Sequence, residues 1–242
     1  MATLVLVRHG ETTWNRERRV QGWAPVGLTE HGREQATRLG EHLAATYDVD
    51  RLLSSDLHRS LETARYLRRE LPEPPDVEPN PAWRERDFGA LQGLAYDELF
   101  DRFPEYAVLD AGYTAATVQP AGGERWIDSR ARALRAADEL VAWLADDAAR
   151  QPSATTGRTA VVVTHGGPIR DVLAAALDLD VAETILQLQP GNCSVTEFRV
   201  TEPVSLPPEP DDGVYSPAFP DATALERQSD QPEELAVVDA EG

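Results

Sequence analysis

Three short runs of branched and aliphatic residues, each ending abruptly in charged or polar residues, constrain this chain more than any other feature. Thr3–Val7 runs into Arg8-His9-Gly10-Glu11-Thr12. Asp50–Leu53 runs into Ser54-Ser55-Asp56-Leu57-His58-Arg59, and Thr159–Val163 into Thr164-His165-Gly166-Gly167. The first and third runs are apolar on both faces, the pattern of parallel strands covered by helices on each side. Helical spacing fills the intervals. From Thr29, a suitable N-cap with Glu30 in the first turn, Ala36, Leu39, Leu43 and Tyr47 recur on one face. Leu57, Leu61, Ala64, Leu67 and Leu71 repeat that spacing, and Ile127, Leu134, Val141, Leu144 and Ala148 mark a longer helix. Pro168 suits a first helical position, with Ile169, Val172, Leu173, Ala176 and Leu177 following on one face. This alternation predicts an α/β fold: an open, mostly parallel sheet with helices on both faces.

The stretch 72–121 breaks the alternation. It opens with Pro72, Pro74, Pro75, Pro79 and Pro81 and holds one short helical pattern near Tyr96–Arg102. Excursions of that length usually serve as lids or binding loops. Acid is concentrated at the other end. Residues 201–242 carry 11 Asp/Glu against the single Arg227, with seven prolines and no sustained periodicity, so a largely disordered, solubilising acidic tail is expected. The predicted division is a catalytic domain over 1–200 and the tail over 201–242.

Composition excludes several functions. The 242 residues carry a formal charge of −19, so nucleic acid, which needs a basic face, is not an expected partner. The apolar runs are too short to cross a bilayer, and no basic stretch precedes an apolar signal region, which predicts a cytoplasmic protein without a membrane partner. One cysteine, Cys193, excludes an intrachain disulfide framework and a Cys-rich zinc module. All 23 basic residues are arginine. The missing lysine and the acidic excess together predict a salt-adapted, halophilic protein, because a densely carboxylated surface stays hydrated where salt screens its self-repulsion.

In open α/β sheets, ligands bind beyond the carboxyl ends of the strands, so the three polar clusters should converge on one crevice. Two arginines and two histidines converging in an acidic protein imply an anionic ligand. The Gly166-Gly167-Pro168 helix start adds backbone N–H groups and a positive dipole end, favouring phosphate. A metal is not expected: neither His-x-x-x-His nor His-Glu-x-x-His occurs, and the flanking arginines would repel a cation. No cofactor is expected.

Four ordered motifs carry a resemblance over roughly residues 3–200. These are Arg8-His9-Gly10-Glu11-Thr12 with Asn15, Ser54-Ser55-Asp56-Leu57 with Arg59, Glu85 ahead of Phe88-Gly89, and His165-Gly166-Gly167. The chain resembles the histidine phosphatase superfamily in its phosphoglycerate-mutase-like branch. The resemblance implies that His9 is the nucleophile, attacking phosphorus as a neutral imidazole to give a phosphohistidine. Arg8 and Arg59 would push its pKa down and favour that form. It also implies that Arg8, Asn15, Arg59 and His165 hold the equatorial oxygens, joined by the backbone N–H of Gly166. Glu85 would protonate the leaving oxygen and later deprotonate the attacking water. Glu11 belongs to the first motif as a residue that orients the loop.

The sequence departs from the family pattern where specificity lies. Pro25-Val26-Gly27-Leu28-Thr29 and Leu91-Gln92-Gly93 replace frequent family segments, and only Arg102 lies between Asp87 and Gly123, where mutases carry a basic grip for a substrate carboxylate. Gly122-Gly123-Glu124 resembles a segment that family phosphatases place near the substrate. Trp14 and Trp23 could wall the pocket or pack, whereas Trp83 is expected to pack. The expected activity is metal-independent hydrolysis of a small phosphorylated metabolite. The alternatives are a phosphoglycerate mutase and a catalytically silent phospho-ligand binding protein.

Overall fold

The computed structural model describes residues 2–107, 111, 113–150, 157–177, 179, 189–200, 224–227 and 235–238. Its strands are β1 (Ala2–Arg8), β2 (Arg51–Ser54), β3 (Val77–Pro79), β4 (Thr159–Thr164), β5 (Val195–Val200), β6 (Ala224–Arg227) and β7 (Leu235–Val238). Its α-helices are α1 (Thr13–Arg16), α2 (Glu30–Thr46), α3 (His58–Arg68), α4 (Tyr96–Arg102), α5 (Tyr113–Thr117), α6 (Trp126–Arg150) and α7 (Gly166–Ala176).

The sheet order is β3-β2-β4-β1-β5-β6-β7. The first four strands run parallel, with Val5 opposite Val161 and Leu53 opposite Val162, and β5 joins β1 antiparallel. That is the open, mostly parallel core the alternation predicts. Strands β6 and β7 continue the antiparallel edge, with Leu225 opposite Glu197 and Val237 opposite Leu225. Proline and acid density gave no signal for these two four-residue strands. The rest of the expected tail lies outside the described residues.

Period-two alternation decides which helices cover which face. Leu4 and Leu6 of β1 pack with Leu134, Val141 and Leu144 of α6 and Ile169 and Val172 of α7. Val5 and Val7 point the other way, into a cluster with Leu39 and Leu43 of α2 and Ala64 and Leu67 of α3. All four β1 side chains are fully buried, which is why the run reads as continuously apolar. Helix α2 begins as expected, with the Thr29 hydroxyl accepting from Gly32 N–H. Pro168 is a correction: α7 starts at Gly166 with His165 as N-cap, so the proline sits in the first turn but not at its first position.

The 72–121 excursion contains α4 at the expected place and a small core of its own. Val20, Leu91 and Leu99 are buried there against Phe88, Leu94, Phe103 and Tyr106. No helix among the described residues is long and apolar enough to cross a membrane.

Candidate active site

The residue after each inner strand is pinned to the next strand, and this draws the polar clusters together. His9 N–H donates to Thr164 O at 3.0 Å, and Ser55 N–H donates to Val163 O at 2.8 Å. The His9 and His165 rings consequently lie with centroids 5.2 Å apart. Helix α3 starts three residues beyond Ser55 and delivers Arg59, whose Nε donates to His9 Nε2 at 3.2 Å. The sequence motifs are thus three-dimensional neighbours at the carboxyl edge of the sheet.

His9 is held in one tautomer. Its Nδ1 lies 2.8 Å from Gly10 O, which accepts only from a protonated nitrogen, leaving Nε2 with its lone pair toward Arg59 and the cavity. Burial, then Arg59 and Arg8, holds its pKa well below that of an ordinary histidine. His165 is depressed by the same burial and the same arginines, and its Nε2 meets Ser55 Oγ at 2.8 Å and Ser60 Oγ at 3.2 Å. The expected arginine effect on His9 is present, but desolvation is the larger cause.

The two arginines are short of negative charge. Arg59 is 1% exposed, and its other nitrogens donate to Gly22 O and Ala24 O. Arg8 Nη1 donates to Pro190 O, while its buried Nε has no hydrogen-bond partner among the described residues. Burial lowers the pKa of Arg59 to about 10 and lowers that of Arg8 as well, with Glu85 as the carboxylate that opposes the shift in both. Two desolvated guanidinium groups beside a neutral imidazole can receive a tetrahedral dianion.

Glu85 faces this receptor from the excursion. Its Oε1 accepts from Arg86 N–H at 2.9 Å and its Oε2 from Gly167 N–H at 3.1 Å. A β-carbon on Gly167 would overlap Glu85 Oε1, so only glycine leaves room for the carboxylate at the start of α7. The loop is anchored from outside: Trp23 Nε1 donates to Glu85 O at 2.7 Å, and Arg132 reaches the carbonyls of Ala82 and Arg84 while pairing with Glu124 at 2.9 Å.

A cavity of about 460 Å³ opens over these groups, with Arg8, His9, Arg59, Glu85 and Gly167 in its wall. Three of the expected site residues are not in that wall. His165 lies against His9 and fully buried. Gly166 is one residue from the wall, at Gly167. Asn15 sits in the capping box of α1, its Oδ1 accepting from Thr12 N–H at 3.1 Å and from Asn192 Nδ2 at 3.3 Å. Asn192 Nδ2 also donates to the His9 carbonyl at 2.9 Å, so Asn15 is tied to His9 through one side chain. Glu11 accepts from the Thr29 hydroxyl at 2.7 Å, as a residue that orients the loop would.

Among the cavity residues that no sequence pattern marks are Arg86, Trp126, Arg170 and Asp171. Arg86 lies one position before the stretch between Asp87 and Gly123, and the other three belong to helix faces that read as ordinary surface. Trp83 is fully buried and packs in the core, and Trp14 and Trp23 are also outside the cavity wall. Glu124 is outside the cavity wall, but its carbonyl accepts from Nε of the wall residue Arg86 at 3.0 Å. No group of three or more metal-type ligands occurs among the described residues.

Comparison with known proteins agrees with this geometry. The family profile of the histidine phosphatase superfamily (branch 1) matches residues 4–204. Phosphoglycerate mutase-like protein 4 of Arabidopsis thaliana is 36% identical over 201 residues, 82% of this chain and 80% of that protein. The 2,3-bisphosphoglycerate-dependent phosphoglycerate mutase 2 of Gloeobacter violaceus is 32% identical, covering 89% and 90% of the two chains. Among solved structures, the mycobacterial glucosyl-3-phosphoglycerate phosphatase in complex with VO3 superposes with a TM-score of 0.64 at 33% identity, over 81% of this chain and 92% of that one. With the profile spanning both histidines, both arginines and Glu85, the chain belongs to the histidine phosphatase superfamily, branch 1.

Proposed function

We propose that this chain hydrolyses a small phosphomonoester through a phosphohistidine, without a metal ion. One observation carries the reading: a neutral, buried imidazole whose unprotonated Nε2 accepts from Arg59 Nε sits beside two buried guanidinium groups, with a carboxylate in the same cavity wall. His9 Nε2 attacks phosphorus, the bond to the leaving oxygen breaks, and Glu85 gives its proton to that oxygen. Arg8 and Arg59 balance the charge on the phosphoryl oxygens, and His165 and the Gly166 amide complete the cradle. In the second half, Glu85 takes a proton from water, the water oxygen bonds to phosphorus, and the P–N bond breaks to return neutral His9 and inorganic phosphate. Asn15 acts by holding the Thr12–His9 loop.

A second reading, phosphoglycerate mutase, draws support from Arg86 and Arg170 in the cavity wall. These supply cations that the segment between Asp87 and Gly123 lacks, and a mutase would use them to retain a carboxylate. Incubation with 3-phosphoglycerate separates the readings. Release of inorganic phosphate supports hydrolysis, and formation of 2-phosphoglycerate without phosphate release supports the mutase. A silent binding protein would turn over neither this substrate nor p-nitrophenyl phosphate.

A further inference from the structure

Beyond the phosphoryl site, the cavity has two unlike walls. One is apolar and aromatic, built by Phe88, Tyr96, Leu99, Phe100 and Tyr106. The other is polar and comes from α6 and α7, with Trp126, Ser129, Arg170 and Asp171. Asp171 is unusual within it. Its side chain is 2% exposed and its Oδ1 is occupied, accepting from Trp126 Nε1 at 3.1 Å with Arg130 Nη1 at 3.8 Å. Its Oδ2 is buried with no hydrogen-bond partner among the described residues. A buried carboxylate oxygen left unpaired is costly, and such oxygens in native proteins generally meet a donor when the protein is at work.

We infer that Asp171 is a specificity-determining residue that accepts a hydrogen bond from a hydroxyl of the leaving group, so that the substrate is a polyol or sugar phosphate. This rests on the phosphatase reading and adds the class of alcohol to it. The position fits. Asp171 shares the cavity wall with Glu85 and Gly167, the carboxylate proposed to protonate the alcohol and the helix start that holds it. The charge of the surroundings selects the donor. Arg86 and Arg170 line the same cavity and Arg130 flanks Asp171, so an ammonium donor is repelled while a neutral hydroxyl is not. The aromatic wall opposite suits the C–H face of a polyol. Burial pushes the Asp171 pKa up to about 6 in spite of Arg130 and Trp126, as for a carboxylate lacking one donor.

The test uses a ladder of paired substrates. Glycerol 3-phosphate, erythritol 4-phosphate and sorbitol 6-phosphate are each compared with the alkyl phosphate of equal carbon number, and kcat/KM is measured for the full chain and for Asp171→Leu and Asp171→Asn. At one length or more, the wild type should favour the polyol at least tenfold. At that length the preference should fall to within about threefold in Asp171→Leu, and at least fivefold in Asp171→Asn, whose amide oxygen is retained by Trp126 and whose NH2 replaces the acceptor. If Asp171→Leu does not fold, the Asn variant alone decides. The inference is overturned if no rung of the ladder exceeds about threefold while p-nitrophenyl phosphate is hydrolysed, or if the preference survives in a folded variant. Absence of turnover on p-nitrophenyl phosphate and on every rung would instead overturn the phosphatase reading itself.

Discussion

At the floor of the cavity, Arg8, His9, Arg59 and His165 come from the ends of parallel strands and the helix that follows one of them, and His9, Arg59 and His165 are at most 3% exposed. At its outer wall, Tyr96 and Phe100 ride on a seven-residue helix and are 41% and 43% exposed. The floor is held by the hydrogen-bond ladder of the sheet, so its geometry is fixed by the same forces that fix the core. The wall rests on a small core of three buried side chains and can change without disturbing the sheet. On the proposed mechanism, chemistry belongs to the floor and choice of substrate to the walls above it, of which the α4 side is exposed and the Asp171 side buried.

The largest effect expected from breaking this division is at the floor. His9→Ala should lower turnover by about 10⁴-fold or more while phosphate or vanadate still binds, measurable by calorimetry. Appreciable residual hydrolysis would remove His9 as nucleophile. Glu85 stands at the boundary between the regions. Glu85→Gln should slow alkyl phosphates by about 10²- to 10³-fold and p-nitrophenyl phosphate far less, because a phenolate departs without a proton. Equal losses on both would move the acid elsewhere in the 73–98 loop.

Smaller effects appear in stability. His9 and His165 have folded pKa values below the unfolded value near 6.5, so the unfolded chain binds protons more readily. Their contribution is fully present above that pH and is lost as pH falls toward the folded values, by up to about 1.4 kcal/mol per pH unit for each histidine. Urea unfolding at pH 7.5 and 5.5 should show this loss, and His9→Asn should reduce it; an unchanged pH dependence in the variant would mean that His9 is not held neutral. Asp171 shows the opposite sign. Its folded pKa of about 6 lies above the 3.8 of an ordinary aspartate, so its penalty grows between those pH values and persists above them. Asp171→Asn should therefore gain about 1–2 kcal/mol at pH 7.5, after loss of the Arg130 pairing, and nothing below pH 4. The smallest and least local effect is on the acidic exterior as a whole: molar KCl should raise the thermal midpoint seen by circular dichroism, and equal midpoints in low and high salt would argue against salt adaptation.

The same two regions differ in how much the sequence discloses. At the floor, the β1 and β4 runs and the residues that follow them are adjacent in the chain, so a strand end and its catalytic side chain are read in one glance. Helices α2 and α6 were legible because each buries a continuous stripe against one sheet face. The wall is assembled from a loop and two helices far apart in sequence. Asp171 looks like a polar position on an otherwise apolar helix, and Arg86 like a loop charge, until Trp126 of α6 meets the first and the carbonyls of Val118 and Glu124 meet the second. Asn15 illustrates the reverse case: its motif is plain, but the side chain is spent on a cap and on Asn192. Strands β6 and β7 escaped because they are four residues each, and the prolines and carboxylates around them hid even the apolar run Leu235-Ala236-Val237-Val238.

Gly167 joins the two regions through a side chain it does not have. Because Glu85 occupies the volume where a methyl group would stand, Gly167→Ala must displace that carboxylate although nothing ionisable has been altered. On the proposed mechanism the acid step is thus sensitive to a single missing carbon on α7, and any drift in the excursion that carries Glu85 is limited by how closely it fits that gap.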